Sequence, residues 1–218
     1  MTALTIPNRA HLEAFFERVD PVRGRIIFAL DATASRQPTW DTAAQVQAEM
    51  FRAVSALGGL DIQLVYYRGW GECVASRWFS DGKSLASTMS RITCAAGHTQ
   101  IRRVLAHARK EHARDKVGAL ILISDACEEL PADLYDEAGE PGGLPVFMFQ
   151  EGADERIAEI YAEIAKITGG AHCRFDAGSA QRLADLLKAV AAFATGGLKA
   201  LAAQKTDAAT LLLTQIKK

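Results

Sequence analysis

The chain is poor in features that mark several functional classes. Its four cysteines, Cys73, Cys94, Cys127 and Cys173, include no CxxC pair. A disulfide framework or structural zinc site is therefore not expected, and reduced thiols are. The adjacent His172 and Cys173 fall short of the three or four ligands a metal site needs. Basic residues number 25 against 26 acidic ones and form no block, which argues against a nucleic-acid partner. No uninterrupted apolar run approaches the roughly 20 residues that cross a bilayer, so membrane insertion is not expected. The first residues, MTALTIPNRAHLEAFFERVD, lack the basic-then-apolar layout of a secretory signal. The expected location is the cytoplasm. Neither GxGxxG nor GxxxxGK[ST] occurs, so a glycine-rich phosphate cradle is missing.

What is present is an alternation of apolar runs and amphipathic stripes. With 218 residues, 49% of them apolar, the chain can bury one sizeable core. Leu12, Phe15, Phe16 and Val19 share one helical face, with Asn8 as a cap. Gly24 then leads into RIIFAL, a continuous apolar run of the kind found in central parallel strands. Trp40, Ala43, Val46, Met50, Val54 and Leu57 form a second helical stripe, stopped by Gly58-Gly59. DIQLVYYRG and GECVASRWFS read as two strands. The short turn around Gly69 to Gly71 makes them a hairpin, hence one antiparallel strand. Helices are expected over about Ser84 to Ile92 and Thr99 to Ala113. VGALILISD, LPVFMFQ and AHCRF read as further strands. Between the last two lies a helix carrying Ile157, Ile160, Tyr161, Ile164 and Ile167, ended by Gly169-Gly170. Another helix is expected from about Ser179 to Ala194.

This order predicts an α/β fold: a doubly wound, mainly parallel six-stranded sheet with one antiparallel edge strand and helices on both faces. Residues 1–23 read as an N-terminal helical extension and 24–195 as the domain. Residues 196–218, after Gly196-Gly197, read as a C-terminal helical extension that either packs on the domain or awaits a partner.

Two of the apolar runs end in an aspartate, Asp31 and Asp125. Ligands of open α/β sheets bind beyond the carboxyl ends of strands, near the point where strand order reverses. Thr33, Ser35 and Thr99 stand in loops that can meet the two acids there. Two carboxylates and three hydroxyls are hard oxygen donors suited to Mg²⁺ or a similar cation, Mn²⁺ or Ca²⁺.

This pattern resembles the von Willebrand factor A domain and its metal-ion-dependent adhesion site. That signature is Asp-x-Ser-x-Ser at the first strand end, a Thr in a later loop, and an Asp at the fourth strand end. Here the elements are Asp31-Ala32-Thr33-Ala34-Ser35, Thr99 in GHTQI and Asp125 in LISDA. Thr33 departs from the usual Ser, and its methyl restricts the rotamer. The resemblance spans about Gly24 to Ala194. It implies hydroxyl ligands from Thr33, Ser35 and Thr99, with Asp31 and Asp125 holding metal-bound waters or binding directly. It also implies a protein partner presenting Asp or Glu to the ion. Intracellular bacterial relatives serve as adaptors or scaffolds in chelatase, stress-response and chaperone-like assemblies.

An ion whose direct protein ligands are mostly neutral hydroxyls keeps charge for an external carboxylate, which favours a binder over an enzyme. The enzyme alternative is phosphoryl transfer of the haloacid-dehalogenase type through Asp31. The ATPase branch of that superfamily has Asp-x-Thr as here, whereas the usual phosphatase form places a second Asp two residues on, where this chain has Thr33. The type also needs an acidic pair later, and Asp125 has no neighbouring Asp. A third alternative is a purely structural interaction protein using its terminal helices. Around the site, Arg36 reads as a solvated loop charge that could steer an acidic partner. His98 reads as a loop histidine, with contact to a ligand as the alternative, and Glu128 and Glu129 as the opening of a short helix before Pro131, with flanking the site after Asp125 as the alternative. Trp40 reads as helix core, Trp70 and Trp78 as packing residues of the hairpin, with an exposed contact surface as the alternative. Oligomeric state is not legible.

Overall fold

The computed structural model describes residues 23–37, 59–176 and 180–216. The expected helices over Asn8 to Val19 and Trp40 to Leu57 lie outside the described residues.

Strand β1 is Gly24–Asp31, β2 Leu60–Arg68, β3 Glu72–Phe79, β4 Ala119–Ser124, β5 Val146–Glu151 and β6 Ala171–Phe175. They form one sheet in the order β3-β2-β1-β4-β5-β6. All neighbours are parallel except β2 and β3. The hairpin thus places its second strand at the edge, as its short turn demands. Strand order reverses between β1 and β4, so Asp31 and Asp125 flank the switch point.

Side-chain alternation divides the core into two layers. Ile26, Phe28 and Leu30 of β1 face one layer with Ile121, Ile123, Phe147 and Phe149, while Ile27, Ala29, Leu120, Leu122 and Met148 face the other. Helix α1 (Gly82–Met89) covers the first face through Leu85 and Met89. Two further helices join it, α5 (Ala180–Ala203) and α6 (Asp207–Ile216), through Leu183, Leu186, Val190 and Leu212. The second face is covered by α2 (Ile101–Arg114), α3 (Pro131–Gly139) and α4 (Glu155–Thr168).

Helix α1 starts before Ser84, because the Asp81 carboxylate accepts the Ser84 N–H at 2.7 Å and so caps it. Helix α4 carries the expected Ile157, Ile160, Tyr161 and Ile164 stripe. It ends where Gly169 takes a left-handed φ of 70° and its N–H reaches back to the last turn.

The Gly196-Gly197 stretch is a kink within α5, with Gly197 at φ 62° and ψ −158°. Beyond it Leu201, Ala209 and Leu212 are buried in the first core layer, so the terminal helices pack on the domain. Over Gln181–Ala203, α5 is apolar and long enough to cross a membrane by length and composition, with a mean hydropathy of 1.4. Its apolar stripe is used by the sheet.

Candidate metal centre

The site begins with Asp31, the last residue of β1 and fully buried. Register sets its neighbours. Tyr67 of β2 lies beside it, and Ser124 follows Ile123, which pairs with Leu30. The Asp31 Oδ2 accepts the Ser124 hydroxyl at 2.6 Å and the Tyr67 hydroxyl at 3.0 Å. Its Oδ1 accepts the Thr33 N–H at 2.8 Å. Three donors thus satisfy a buried carboxylate. Burial first, and the Asp31 charge second, hold the Tyr67 phenol well above its ordinary pKa; it stays a proton donor to Asp31.

Above this floor the chain makes a 3-10 turn, Ala34–Arg36. The Thr33 and Ser35 hydroxyl oxygens lie 3.1 Å apart, and Ser35 Oγ donates to Asp125 Oδ1 at 3.2 Å. An octahedral ion with ligands at about 2.0–2.1 Å sets neighbouring ligand atoms about 3 Å apart. Ser35 Oγ stands at about that spacing from both the Thr33 and the Asp125 oxygen, and all three are the hard donors Mg²⁺ takes. Asp125 is half-buried, and its carboxyl is raised chiefly by desolvation. The Ser35 hydroxyl opposes that shift, Asp31 adds to it, and the Arg36 charge draws it down. A cation placed there would relieve both upward causes.

Thr99 reaches the site by another route. Its hydroxyl oxygen accepts the Glu128 N–H at 3.0 Å, and its N–H donates to Glu128 Oε2 at 2.9 Å. Both bonds tie it to the loop that leaves Asp125. Asp31, Thr33, Ser35 and Asp125 therefore share one hydrogen-bonded chain, while Thr99, in the loop before α2, is bonded to Glu128, three residues beyond Asp125. Among the described residues, no group of three or more His, Cys, Asp or Glu side chains is placed to hold a metal. A site built mainly from hydroxyls does not need one. The His172 Nε2–H donates to Gln150 Oε1 at 3.0 Å, and Cys173 is buried in the core, its thiol pushed up to about 12 by burial. They form no ligand pair.

Several neighbours differ from the sequence reading. Arg36 is no solvated charge: it is 1% exposed and its Nε lies 3.0 Å from Glu151 Oε2 at the end of β5. It cannot steer a partner through solvent. Glu128 and Glu129 do not open a helix before Pro131; α3 begins at Pro131 itself. Glu129 instead accepts the Ile101 and Arg102 N–H groups at 2.6 and 2.9 Å. It caps α2 from outside, where Gln100 offers no side-chain cap. His98 bonds Glu128 at 3.1 Å and meets Trp70 edge-on at 4.4 Å.

Trp70 is 80% exposed at the tip of the hairpin and not a packing residue. Trp78 does pack: the Arg25 guanidinium lies 3.8 Å from its ring centroid, and its N–H donates to Glu111. Trp40 lies outside the described residues. Sequence reasoning missed Tyr67 and Ser124. The signal for both was positional: one follows Tyr66 near the end of a strand, and the other directly precedes Asp125.

No family model matches the sequence, and no curated protein matches it. Solved structures do resemble it. A von Willebrand factor type A protein from Catenulispora acidiphila aligns with 80% of this chain and 43% of its own, at 16% identity and a TM-score of 0.58. The vWF domain of the type V pili tip protein Mfa5 from Porphyromonas gingivalis aligns with 78% of this chain and 96% of its own, at 12% and 0.58. The pilus adhesin SpaC from Lactobacillus rhamnosus GG aligns with 82% of this chain and 30% of its own, at 14% and 0.63. The chain spans less than half the length of the first and third. At these identities the likeness is one of fold, and the fold of this chain is that of the von Willebrand factor A domain.

Proposed function

We propose that this domain is a protein-interaction module that grips an acidic side chain of its partner through a divalent cation, Mg²⁺ or a similar ion. The observation that carries this reading is the Thr33, Ser35 and Asp125 oxygens spaced 3.1 and 3.2 Å apart above a buried Asp31. A bound cation would offer a hard Lewis-acid position to an external carboxylate oxygen. Thr33, Ser35 and Thr99 would present hydroxyl oxygens to it, and Asp125 a carboxylate. Asp31 holds the Thr33 backbone in place and would balance charge from below. Fold neighbours that include a pilus adhesin support an interaction role.

Asp31 is an unsuitable nucleophile for phosphoryl transfer, since it is buried and its two oxygens already accept three hydrogen bonds. Four free cysteines, two of them buried, support an adaptor working in a reducing cytoplasm. Calorimetric titration with Mg²⁺ and Mn²⁺ tests the reading. Wild type should bind one ion, while Ser35→Ala and Asp125→Ala should bind it more weakly. Equal binding by all three would place the ion elsewhere.

A further inference from the structure

Resting on that cation reading, we propose that the buried Arg36–Glu151 ion pair is the positioning device of the site, fixing the Ala34–Arg36 turn so that the Ser35 hydroxyl faces Asp125. The entry to the turn is held by the Asp31 carboxylate and by a bridge from Thr33 to Ala95, but among the described residues its far end is held by no side chain but that of Arg36. Thr33 makes no side-chain cap bond at its start; its own hydroxyl goes to Ser35. Within the turn, the Arg36 N–H donates to the Thr33 carbonyl at 3.1 Å.

Arg36 then carries the anchor across the sheet. β1, β4 and β5 are neighbours, and strands lie about 4.8 Å apart. The Arg36 side chain therefore crosses the end of β4, where Asp125 stands, to reach Glu151 on β5. On the way its charge acts on the Asp125 carboxyl. One side chain thus links the three strand ends that build the site.

Stability alone does not call for charges here. Replacing a buried ion pair by apolar side chains of similar volume is often neutral or stabilising. What the pair adds is a tether: the Arg36 Nε lies 3.0 Å from Glu151 Oε2, one charge contact that ties the turn after β1 to the end of β5. Ser35 is the residue immediately before it, and a small rotation of the turn would carry its hydroxyl away from Asp125.

The test compares wild type, Glu151→Gln and the apolar double variant Arg36→Met with Glu151→Leu, titrated with Mn²⁺ and read by electron paramagnetic resonance. Neither substituted residue is itself a ligand. Both variants should bind Mn²⁺ about 10- to 100-fold more weakly, as for other residues that orient metal ligands. The double variant should melt at or near the wild-type temperature, which separates positioning from a general loss of fold. If it does not fold, Glu151→Gln decides, with exchange at β4 core amides as the reference: positioning requires the Arg36 amide to quicken more than they do. In metal-free protein, hydrogen exchange at the Arg36 amide should quicken in Glu151→Gln. Wild-type Mn²⁺ affinity in Glu151→Gln, or unchanged exchange there, overturns the positioning role alone. A wild type that binds no Mn²⁺ overturns the cation reading and the role with it.

Discussion

At their N-terminal ends β1 and β4 start beside glycine; at their C-terminal ends they stop at acids. A Cβ on Gly24 would sit 2.6 Å from Thr195 Cγ2, and one on Gly118 would sit 2.6 Å from the Ala194 carbonyl oxygen. Helix α5 therefore closes that end by close approach, and the polar groups there, such as the Arg23–Asp61 ion pair, lie at its rim. The opposite end holds Asp31, Ser124, Asp125, Gln150 and Glu151, and each buried charge there has found a partner. Packing seals one end. A hydrogen-bonded network finishes the other and leaves the Ser35 and Asp125 side chains within reach of solvent. Substitutions at the two ends should therefore fail differently.

The largest loss of stability is expected at the polar end. Arg36→Ala strands Glu151 as a buried charge, which costs about 3–5 kcal/mol; chemical denaturation measures it. Gly118→Ala comes next. Its methyl meets the Ala194 backbone, and overpacking of this kind costs about 1–3 kcal/mol. The folded fraction should bind Mn²⁺ like wild type, because the clash lies at the far end of β4. Equal damage to cation binding from Gly118→Ala would erase the distinction between the ends.

Acid should act on the edge strand that joins them. Burial lowers the His172 pKa from 6.5 to about 4. As pH falls from about 6.5 to about 4, the unfolded chain takes up a proton that the folded one refuses, so stability is lost across that window. His172→Phe should flatten that part of the pH profile in thermal melts. The smallest change in stability is expected from Asp125→Asn. The Asp125 carboxyl is raised by burial, with the Asp31 charge adding to it. Removing its charge should leave stability within about 0.5 kcal/mol of wild type or slightly higher. Cation binding should weaken all the same, which is the sharpest contrast with Gly118→Ala.

Much of this was legible from spacing alone. The apolar run before Asp31, the hairpin at Gly69 to Gly71 and the stripe from Ile157 to Ile164 each report a local periodicity, and local periodicity survives in sequence. Asp31 and Asp125 could be placed together because strand ends in such a sheet converge by topology; Thr33, Ser35 and Thr99 enter through the resemblance to the adhesion-site signature, and hydrogen bonds join Thr33 and Ser35 to the two acids. Arg36 could not be read correctly. Its partner lies 115 positions away on β5, and an arginine beside Ser and Gln looks like a solvated loop. Glu129 was misassigned for the same reason: it caps a helix that starts 28 residues earlier. The Asp31 neighbours also revise the energetics expected of a rim residue. Asp31→Ala would take the buried Thr33 N–H's side-chain acceptor away and leave the Tyr67 and Ser124 hydroxyls only their neutral acceptors, so it should cost stability as well as binding.

The central claim is that one cation sits on the Thr33, Ser35 and Asp125 oxygens. Anomalous diffraction from a crystal soaked in Mn²⁺ tests it most directly. The account predicts a single strong peak within about 2.5 Å of the Thr33 and Ser35 hydroxyl oxygens, with the remaining positions held by Thr99, Asp125 or water. Mn²⁺ bound only elsewhere in the molecule, with these oxygens still bonded to one another, would contradict it.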